Sequence, residues 1–299
     1  LAVMALSDSI FERYTWLAWF GLCTCSAMGL VHARRRHELT TPAMSGHKQS
    51  LSVIIITLNE ADRIEACLKP LAGWADEIIV LDSGSRDDTP ARARRHTPHV
   101  HETDWPGFGR QKQRALDKAQ GQWVLSLDAD EVISDDLKAE IDLVLTQATS
   151  PDHGVAFEAY TLPWLTHAFG ATLKHGRWSR TPLRLLRRGC GRFTDAVVHE
   201  RLEVAPSAPI GHLDAPLHHH SYRDINHAKA KLDHYAQLQA GRRTGRAFWG
   251  VAAVRAGFHL VDNLIFRAAI LDGRAGIILS ALLARYTYKK YRGAPARHQ

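Results

Sequence analysis

The chain has 299 residues, of which 45% are apolar, and a formal charge of +7 at pH 7. That length is enough for one large domain or two small ones, and the apolar fraction is enough to fill a globular core. The basic residues cluster, which favours phosphate-rich partners such as nucleotides or anionic lipid head groups. Nucleic acid is disfavoured, because the sequence contains neither zinc-finger spacing nor a recognisable nucleic-acid-binding motif. The cysteines show no pairing pattern, which predicts reduced thiols and a cytosolic setting.

The first 50 residues form an N-terminal extension that differs in composition from the rest. An apolar run from Trp16 to Val31 precedes three arginines, Arg34 to Arg36, as in a membrane anchor with a positive cytoplasmic flank. The run is shorter than the roughly 20 apolar residues that a spanning helix needs. Three interpretations of this extension remain: a single membrane anchor, a signal peptide, or sequence that lies upstream of a natural start at Met44. We favour the last, under which residues 1–43 are not native.

Buried strands alternate with helices from residue 52 to residue 127. The pattern predicts strands at 52–57, 77–81, 100 and 122–127, and helices at 61–71, 85–95 and 109–119. This alternation is typical of an α/β fold with a mostly parallel, doubly wound sheet flanked by helices. Ligands of such sheets bind at the carboxyl ends of the strands. Polar residues follow three of these ends: Thr57, Asn59 and Glu60; then Asp82 to Ser85; then Asp128 and Asp130.

Asp128 and Asp130 are two residues apart at the end of an apolar strand. Side chains of a strand alternate between its faces, so the two carboxylates are expected to point the same way and to hold one cation. Oxygen ligands favour Mg2+ or Mn2+, ions that bind through one or two carboxylates together with substrate phosphates. The alternative is a surface turn in which Asp128 caps the following helix. The convergence of three polar strand ends favours the cation site.

Beyond Pro151 the alternation stops. Residues 154–220 are rich in Arg, Trp and His, with short β-like runs such as 183–186, and the three consecutive histidines 218–220 lack a second cluster that would indicate zinc. Residues 224–244 are predicted to form a polar helix, and 247–291 one or two amphipathic helices. The last turns are basic and aromatic, which favours either an anionic membrane interface or a helix packed on its own domain. We therefore divide the chain into 1–50, a catalytic domain at 51–223, and a helical, membrane-associating region at 224–299.

The three strand-end motifs, taken in order, resemble those of a known enzyme family. Thr57-Leu58-Asn59-Glu60, residues 82–89 and Asp128-Ala129-Asp130-Glu131 resemble the nucleotide-sugar half of inverting glycosyltransferases of family 2, which have the Rossmann-like GT-A fold. The resemblance covers roughly residues 51–220. A finer similarity, to bacterial lipopolysaccharide core β-1,4-glucosyltransferases, rests on residues 107–112, 125–131, 198–201, 219–222 and 271–276.

The resemblance implies transfer of a hexose, glucose in the finer match, from a UDP-sugar to a lipid-anchored lipopolysaccharide core acceptor. It implies a cytoplasmic enzyme on the inner face of the bacterial inner membrane, in contact with an anionic membrane surface. Polyprenyl phosphate and capsule or exopolysaccharide remain as alternative acceptors. Asp128, Asp130 and Val132 also match the signature of Mg2+-dependent aspartate phosphatases, but those enzymes carry it on their first strand.

The resemblance also assigns roles in binding the nucleotide sugar. Asp82 is expected to accept the uracil N3–H, and the turn at Gly84 to let the backbone approach the nucleotide. Thr57 and Asn59 are expected to bind the uridine, and Glu60 to reach the ribose. Basic residues before the fourth strand are expected to neutralise diphosphate charge, or to form a solvated helix face: Arg110, Lys112 and Arg114.

The metal and the catalytic base are assigned in the same way. Asp130 is expected to hold the ion that bridges the two phosphates, and Asp128 to contact the ribose or a water on the metal. Inversion needs a base that takes the proton of the acceptor hydroxyl. We assign this role to Glu200, with Asp195 as the rival. His199 is either a further metal ligand or a structural histidine, and we favour the second.

Overall fold

A computed structural model describes residues 48–147, 157–195, 200–240 and 249–292. The predictions for residues 1–47 and for His199 therefore lie outside the described residues. The described strands are β1 (Leu51–Thr57), β2 (Glu77–Asp82), β3 (Val100–Glu102), β4 (Trp123–Asp128), β5 (Glu131–Val132), β6 (Ala159–Thr161), β7 (Trp164–Ala168), β8 (Ala171–Leu173), β9 (Leu183–Arg187), β10 (Gly191–Phe193), β11 (Leu202–Val204), β12 (Ile210–His212) and β13 (Leu217–Tyr222).

The described α-helices are α1 (Ile64–Leu68), α2 (Thr89–Ala93), α3 (Phe108–Lys118), α4 (Asp135–Gln147), α5 (Ile225–Ala240), α6 (Trp249–Val261) and α7 (Gly273–Arg292). A π-helical turn, Asp262–Phe266, follows α6, and a 3-10 turn, Ala269–Asp272, precedes α7. Within the described ranges, no helix combines the length and the apolarity needed to span a bilayer.

The main sheet has the strand order β12-β6-β9-β4-β1-β2-β3. Strands β4, β1, β2 and β3 are parallel to their neighbours in this series, whereas β9 runs antiparallel to both β4 and β6. A smaller sheet has the order β5-β13-β7-β8, and β10 pairs with β11. The predicted α/β fold with a mostly parallel sheet is confirmed.

The continuous apolar run of β1 follows from burial on both faces of the sheet. Val53 and Ile55 belong to one core with the apolar residues of α1 and α4, and Ile54 and Ile56 belong to another with those of α3. A strand covered on both sides needs apolar residues at successive positions rather than at alternate ones. Because β1 pairs in parallel with both β2 and β4, the carboxyl ends of the three strands lie at the same edge of the sheet.

One predicted helix is much shorter than expected. Residues 85–95 were predicted to be helical, but α2 begins only at Thr89, whose N–H donates to Asp87 Oδ1 at 3.0 Å. The preceding residues instead form a loop, because the Asp82 carboxylate binds the N–H groups of Gly84 and Ser85. Local side-chain hydrogen bonds of this kind compete with helix formation.

Candidate active site

A cavity of about 900 Å3 opens at the carboxyl ends of β1 and β4, the edge at which the sequence predicted a ligand. Residues after these two strands meet residues from β7, β13, α5 and α7 around it. The polar and aromatic lining includes Thr57, Glu60, Lys112, Asp128, Asp130, Trp164, Trp178, Glu200, His219, Lys231 and Tyr286. Residues from before and after Pro151 therefore line one site.

Asp128 ends β4 with both carboxylate oxygens engaged by cations. Lys112 Nζ lies 2.7 Å from Oδ1, and Arg184 Nη2 lies 2.8 Å from Oδ2. The same nitrogen of Arg184 lies 2.6 Å from Glu131 Oε1. Burial would raise the pKa of Asp128, but the two cations outweigh it and hold the pKa well below its usual range. The alternative in which Asp128 caps the next helix is wrong, because α4 begins only at Asp135.

Asp130 lies in the turn after β4 and faces a different set of groups. Arg63 Nη1 and Lys231 Nζ each lie 3.5 Å from Oδ2, and His219 Nε2 lies 3.6 Å from Oδ1. Burial would raise the pKa of Asp130, but His219 and Lys231 outweigh it and lower the pKa. Because β4 ends at Asp128, the alternation of strand side chains does not position Asp130; the turn does.

A divalent ion fits Asp130 better than Asp128. The side-chain nitrogens around Asp130 stand beyond the usual hydrogen-bond range of about 2.7 to 3.2 Å, so its oxygens keep lone pairs for a ligand. Within the described chain, no group of three His, Cys, Asp or Glu side chains is arranged to hold a metal ion. Mg2+ needs only one or two carboxylates where waters and substrate phosphates complete its shell. The donor set thus fits an ion shared with a bound diphosphate.

The two candidate bases lie in different environments. Glu200 lines the cavity with 15% of its side chain exposed, and its Oε1 lies 2.7 Å from Lys112 Nζ. Lys112 therefore bridges Glu200 and Asp128. Asp195 is 67% exposed and forms a two-point ion pair with Arg110, with both N–O distances at 2.8 Å. Of the two candidate bases, Glu200 is the one that the fold brings close to Asp128, the last residue of β4.

The three basic residues of α3 lie on two different faces of the helix. At about 100° per residue, Arg110 and Arg114 share one helix face and Lys112 lies on the opposite one. Arg114 pairs with Asp104 at 2.7 Å on the exposed face, whereas Lys112 is buried in the site. The helix thus supplies one cation to the cavity, and the other two correspond to the solvated face.

The loops after β1 and β2 bind each other. Asp82 Oδ2 accepts the N–H groups of Gly84 at 3.0 Å and Ser85 at 2.7 Å, and Gly84 has a φ of +85°, which glycine adopts without strain. Asn59 donates its N–H to Ser85 Oγ and accepts the N–H of Arg86, both at 2.8 Å. In the described structure, Asn59, Asp82 and Gly84 shape the loops and do not line the cavity.

Thr57 and Glu60 do reach the cavity. Thr57 Oγ1 is buried and has no hydrogen-bond partner among the described residues. The indole N–H groups of Trp164 and Trp178, which also line the cavity, have none there either. Buried polar groups are nearly always hydrogen-bonded, so each of these three keeps an unused capacity for a hydrogen bond. Glu60 Oε2 accepts a hydrogen bond from Arg223 at 3.1 Å, and burial raises its pKa.

Several site residues were missed from the sequence. Arg184 is a lone charge in the apolar run 183–186, a signal that could have marked it as a buried counter-ion. His219 was considered for zinc and as part of the fragment 219–222, but no role beside Asp130 was assigned to it. Lys231 lies on α5, where its sequence context does not distinguish it from the other lysines of a polar helix.

Comparison with known proteins finds glycosyltransferases that are similar to part of this chain. Residues 52–157 match the family model for Glycosyl transferase family 2. The lipopolysaccharide core biosynthesis glycosyltransferase LpsC of Rhizobium meliloti (strain 1021) is 33% identical over 171 residues, 55% of this chain and 60% of that protein. An uncharacterized glycosyltransferase of Rickettsia felis (strain ATCC VR-1525 / URRWXCal2) is 38% identical over 96 residues, 32% of this chain and 34% of that protein. The chain thus aligns with less than two thirds of the length of each.

Among solved structures, glucosyl-3-phosphoglycerate synthase from Mycobacterium tuberculosis in complex with Mg2+ and UDP is 25% identical. The match covers 41% of this chain and 44% of that one, with a TM-score of 0.30. So low a score carries no weight for the fold or the ligands of this chain.

Proposed function

We propose that this chain, whose residues 52–157 match the family model for Glycosyl transferase family 2, is an inverting glycosyltransferase that uses a UDP-sugar. The observation that carries the proposal is the position of Glu200, which lines the same cavity as Asp128 and Asp130. Single displacement needs a base at the acceptor hydroxyl and positive charge at the leaving diphosphate, on opposite sides of the sugar. One cavity here holds residues for both.

In this mechanism Glu200 takes the proton of the acceptor hydroxyl while that oxygen attacks the anomeric carbon and the bond to the diphosphate breaks. Lys112, 2.7 Å from Glu200, fixes the position of the carboxylate through an ion pair. Mg2+ or Mn2+ held by Asp130 would neutralise charge on the leaving diphosphate. Lys231 and Arg63, which face Asp130, add positive charge at the same end.

The unpartnered polar groups of the cavity support a polyhydroxylated ligand. Thr57 lies at the end of β1, beside the predicted nucleotide loops, and suits a hydrogen bond to the uridine. Trp164 and Trp178 belong to the second half of the chain and line the cavity, and their indole N–H groups have no partner among the described residues. Sugar hydroxyls can satisfy such donors, and sugar C–H faces pack on aromatic rings.

The acceptor that we propose is a lipid-anchored lipopolysaccharide core saccharide, with glucose as the donated sugar. The name of the LpsC relative, the finer sequence similarity and the excess of basic residues support it. The enzyme would work on the cytoplasmic face of the inner membrane. Polyprenyl phosphate and capsule or exopolysaccharide intermediates are the alternative acceptors.

The test is UDP release by the full-length protein from a panel of UDP-sugars, with Mg2+ or Mn2+ and truncated lipopolysaccharide as acceptor. We expect acceptor-dependent UDP release that is fastest with UDP-glucose. A matched reaction with simple phosphomonoesters tests the phosphatase alternative. Phosphate release there, without sugar transfer from any donor, would overturn the proposal.

A further inference from the structure

The segment from α6 to the start of α7 exposes an unusual number of large apolar side chains. On α6 and the π-helical turn they recur at intervals of three and four residues, which places them in one stripe along the helix. The next turn exposes Leu271, the most exposed of these side chains after Val254, at 71% and 73%. We call this surface the apolar ridge: Val251, Val254, Phe258, Val261, Ile265 and Leu271.

We propose that the apolar ridge is a membrane-docking surface that inserts into an anionic lipid bilayer. Contiguous exposed apolar surface of this kind marks an interaction site in soluble proteins. Amphipathic helices that lie in a membrane interface bury one apolar face among the acyl chains and place basic residues at the head groups. The ridge and its surroundings meet both conditions.

Charge around the ridge favours a lipid surface over a second copy of the chain. Residues 249–292 contain seven Lys and Arg against two Asp and no Glu. Arg255, Arg267 and Arg274 are exposed; Arg267 also pairs with Asp262 at 2.9 Å, and Asp262 and Asp272 bind the loop at 174–177. A twofold contact would bring the same positive patch against itself, whereas anionic head groups neutralise it.

The position of the ridge also suits a membrane-borne acceptor. His259, on α6, and Leu279 and Leu283, on α7, line the catalytic cavity, so α6, which carries most of the ridge, and the helix that follows the ridge both contribute to the cavity wall. A saccharide on a lipid anchor could thus reach Glu200 while its anchor remains in the bilayer. This deepens the proposed function and rests on it only for the identity of the acceptor.

The ridge differs from the surface that the sequence offered for membrane contact. The basic and aromatic last turns of α7 were predicted either to meet an anionic membrane interface or to pack on their own domain, and Arg285 and Lys289 pair with Asp233 on α5, at 2.6 and 2.8 Å. Tyr286 lines the cavity. The pairs that Arg285 and Lys289 form hold α7 against α5, so we assign membrane docking to the apolar ridge.

The test is co-sedimentation of the full-length protein with vesicles of phosphatidylethanolamine and phosphatidylglycerol, and with vesicles of phosphatidylcholine. We expect binding to the anionic vesicles that weakens with salt. The double variant Val254→Ser, Leu271→Ser should lower the partition coefficient by at least about 10-fold, because both side chains lose apolar area. Arg274→Gln should lower it about five-fold on anionic vesicles only. The matched control is Ile210→Ser, at a site 48% exposed on β12, which should bind as the wild type does.

Equal binding by the wild type and the double variant, or no binding by the wild type, would overturn the proposal. So would a dimer, seen by sedimentation velocity, that the double variant dissociates without any change in vesicle binding, because a second copy would then cover the ridge. Failure of the proposed function gives a different result. Vesicle binding without turnover of any UDP-sugar would support the docking surface and refute the proposed glycosyltransferase activity. Turnover of a soluble acceptor without vesicle binding would support the activity and refute the docking surface.

Discussion

Replacing Glu200 by Gln removes the proposed base while keeping the size of the side chain. A positioned general base contributes about 10²- to 10⁴-fold, so kcat for transfer should fall by that factor. The KM for the UDP-sugar should stay unchanged, because loss of a proton acceptor affects the transition state and not the bound donor. Lys112 keeps its 2.7 Å ion pair with Asp128, so the cation remains in the site.

The control is Asp195→Asn. Asp195 lies in an exposed pair with Arg110, where water screens the charges, so its loss should affect neither folding nor transfer. Both variants are assayed by acceptor-dependent UDP release, with UDP binding measured separately by calorimetry and folding by urea unfolding. Loss of transfer in Asp195→Asn, with near-normal rates in Glu200→Gln, would refute the assignment and make Asp195 the base. Loss of UDP binding in Glu200→Gln would show that the carboxylate holds the donor site together instead.

Three further substitutions test other parts of the site. Asp130→Ala should abolish both transfer and its dependence on Mg2+ or Mn2+, as measured by metal titration; retained metal dependence would place the ion elsewhere. Arg184→Met should lower the free energy of unfolding by about 3–5 kcal/mol in urea, because it leaves Asp128 and Glu131 without their shared cation; a loss under about 1 kcal/mol would contradict the network. Thr57→Val should weaken UDP binding by about 2- to 12-fold with unchanged folding, and an unchanged dissociation constant would exclude the hydroxyl as a ligand.

The sheet and the location of the site could be predicted because their signals are local. A continuous apolar run such as Val53 to Ile56 is typical of a strand that is buried on both faces of a parallel sheet. The direction of the chain then determines at which end of the strand the ligand-binding loop follows. The resemblance to the family followed from three short motifs in order, and residues 52–157 match the family model for Glycosyl transferase family 2. Helix length was less predictable: Asp82 binds its own loop and delays the start of α2 to Thr89.

The sequence by itself determined the parallel strands, the edge at which polar residues gather and the presence of two carboxylates there, because periodicity and order along the chain specify all three. Only the tertiary structure decided which charges meet. Helix phase buries Lys112 against Asp128 and leaves Arg110 outside, and Arg184 and Lys231 reach the carboxylates from strands and helices far along the chain. Such long-range pairs depend on how the helices and strands pack against each other, and this packing produces no periodic pattern in the sequence.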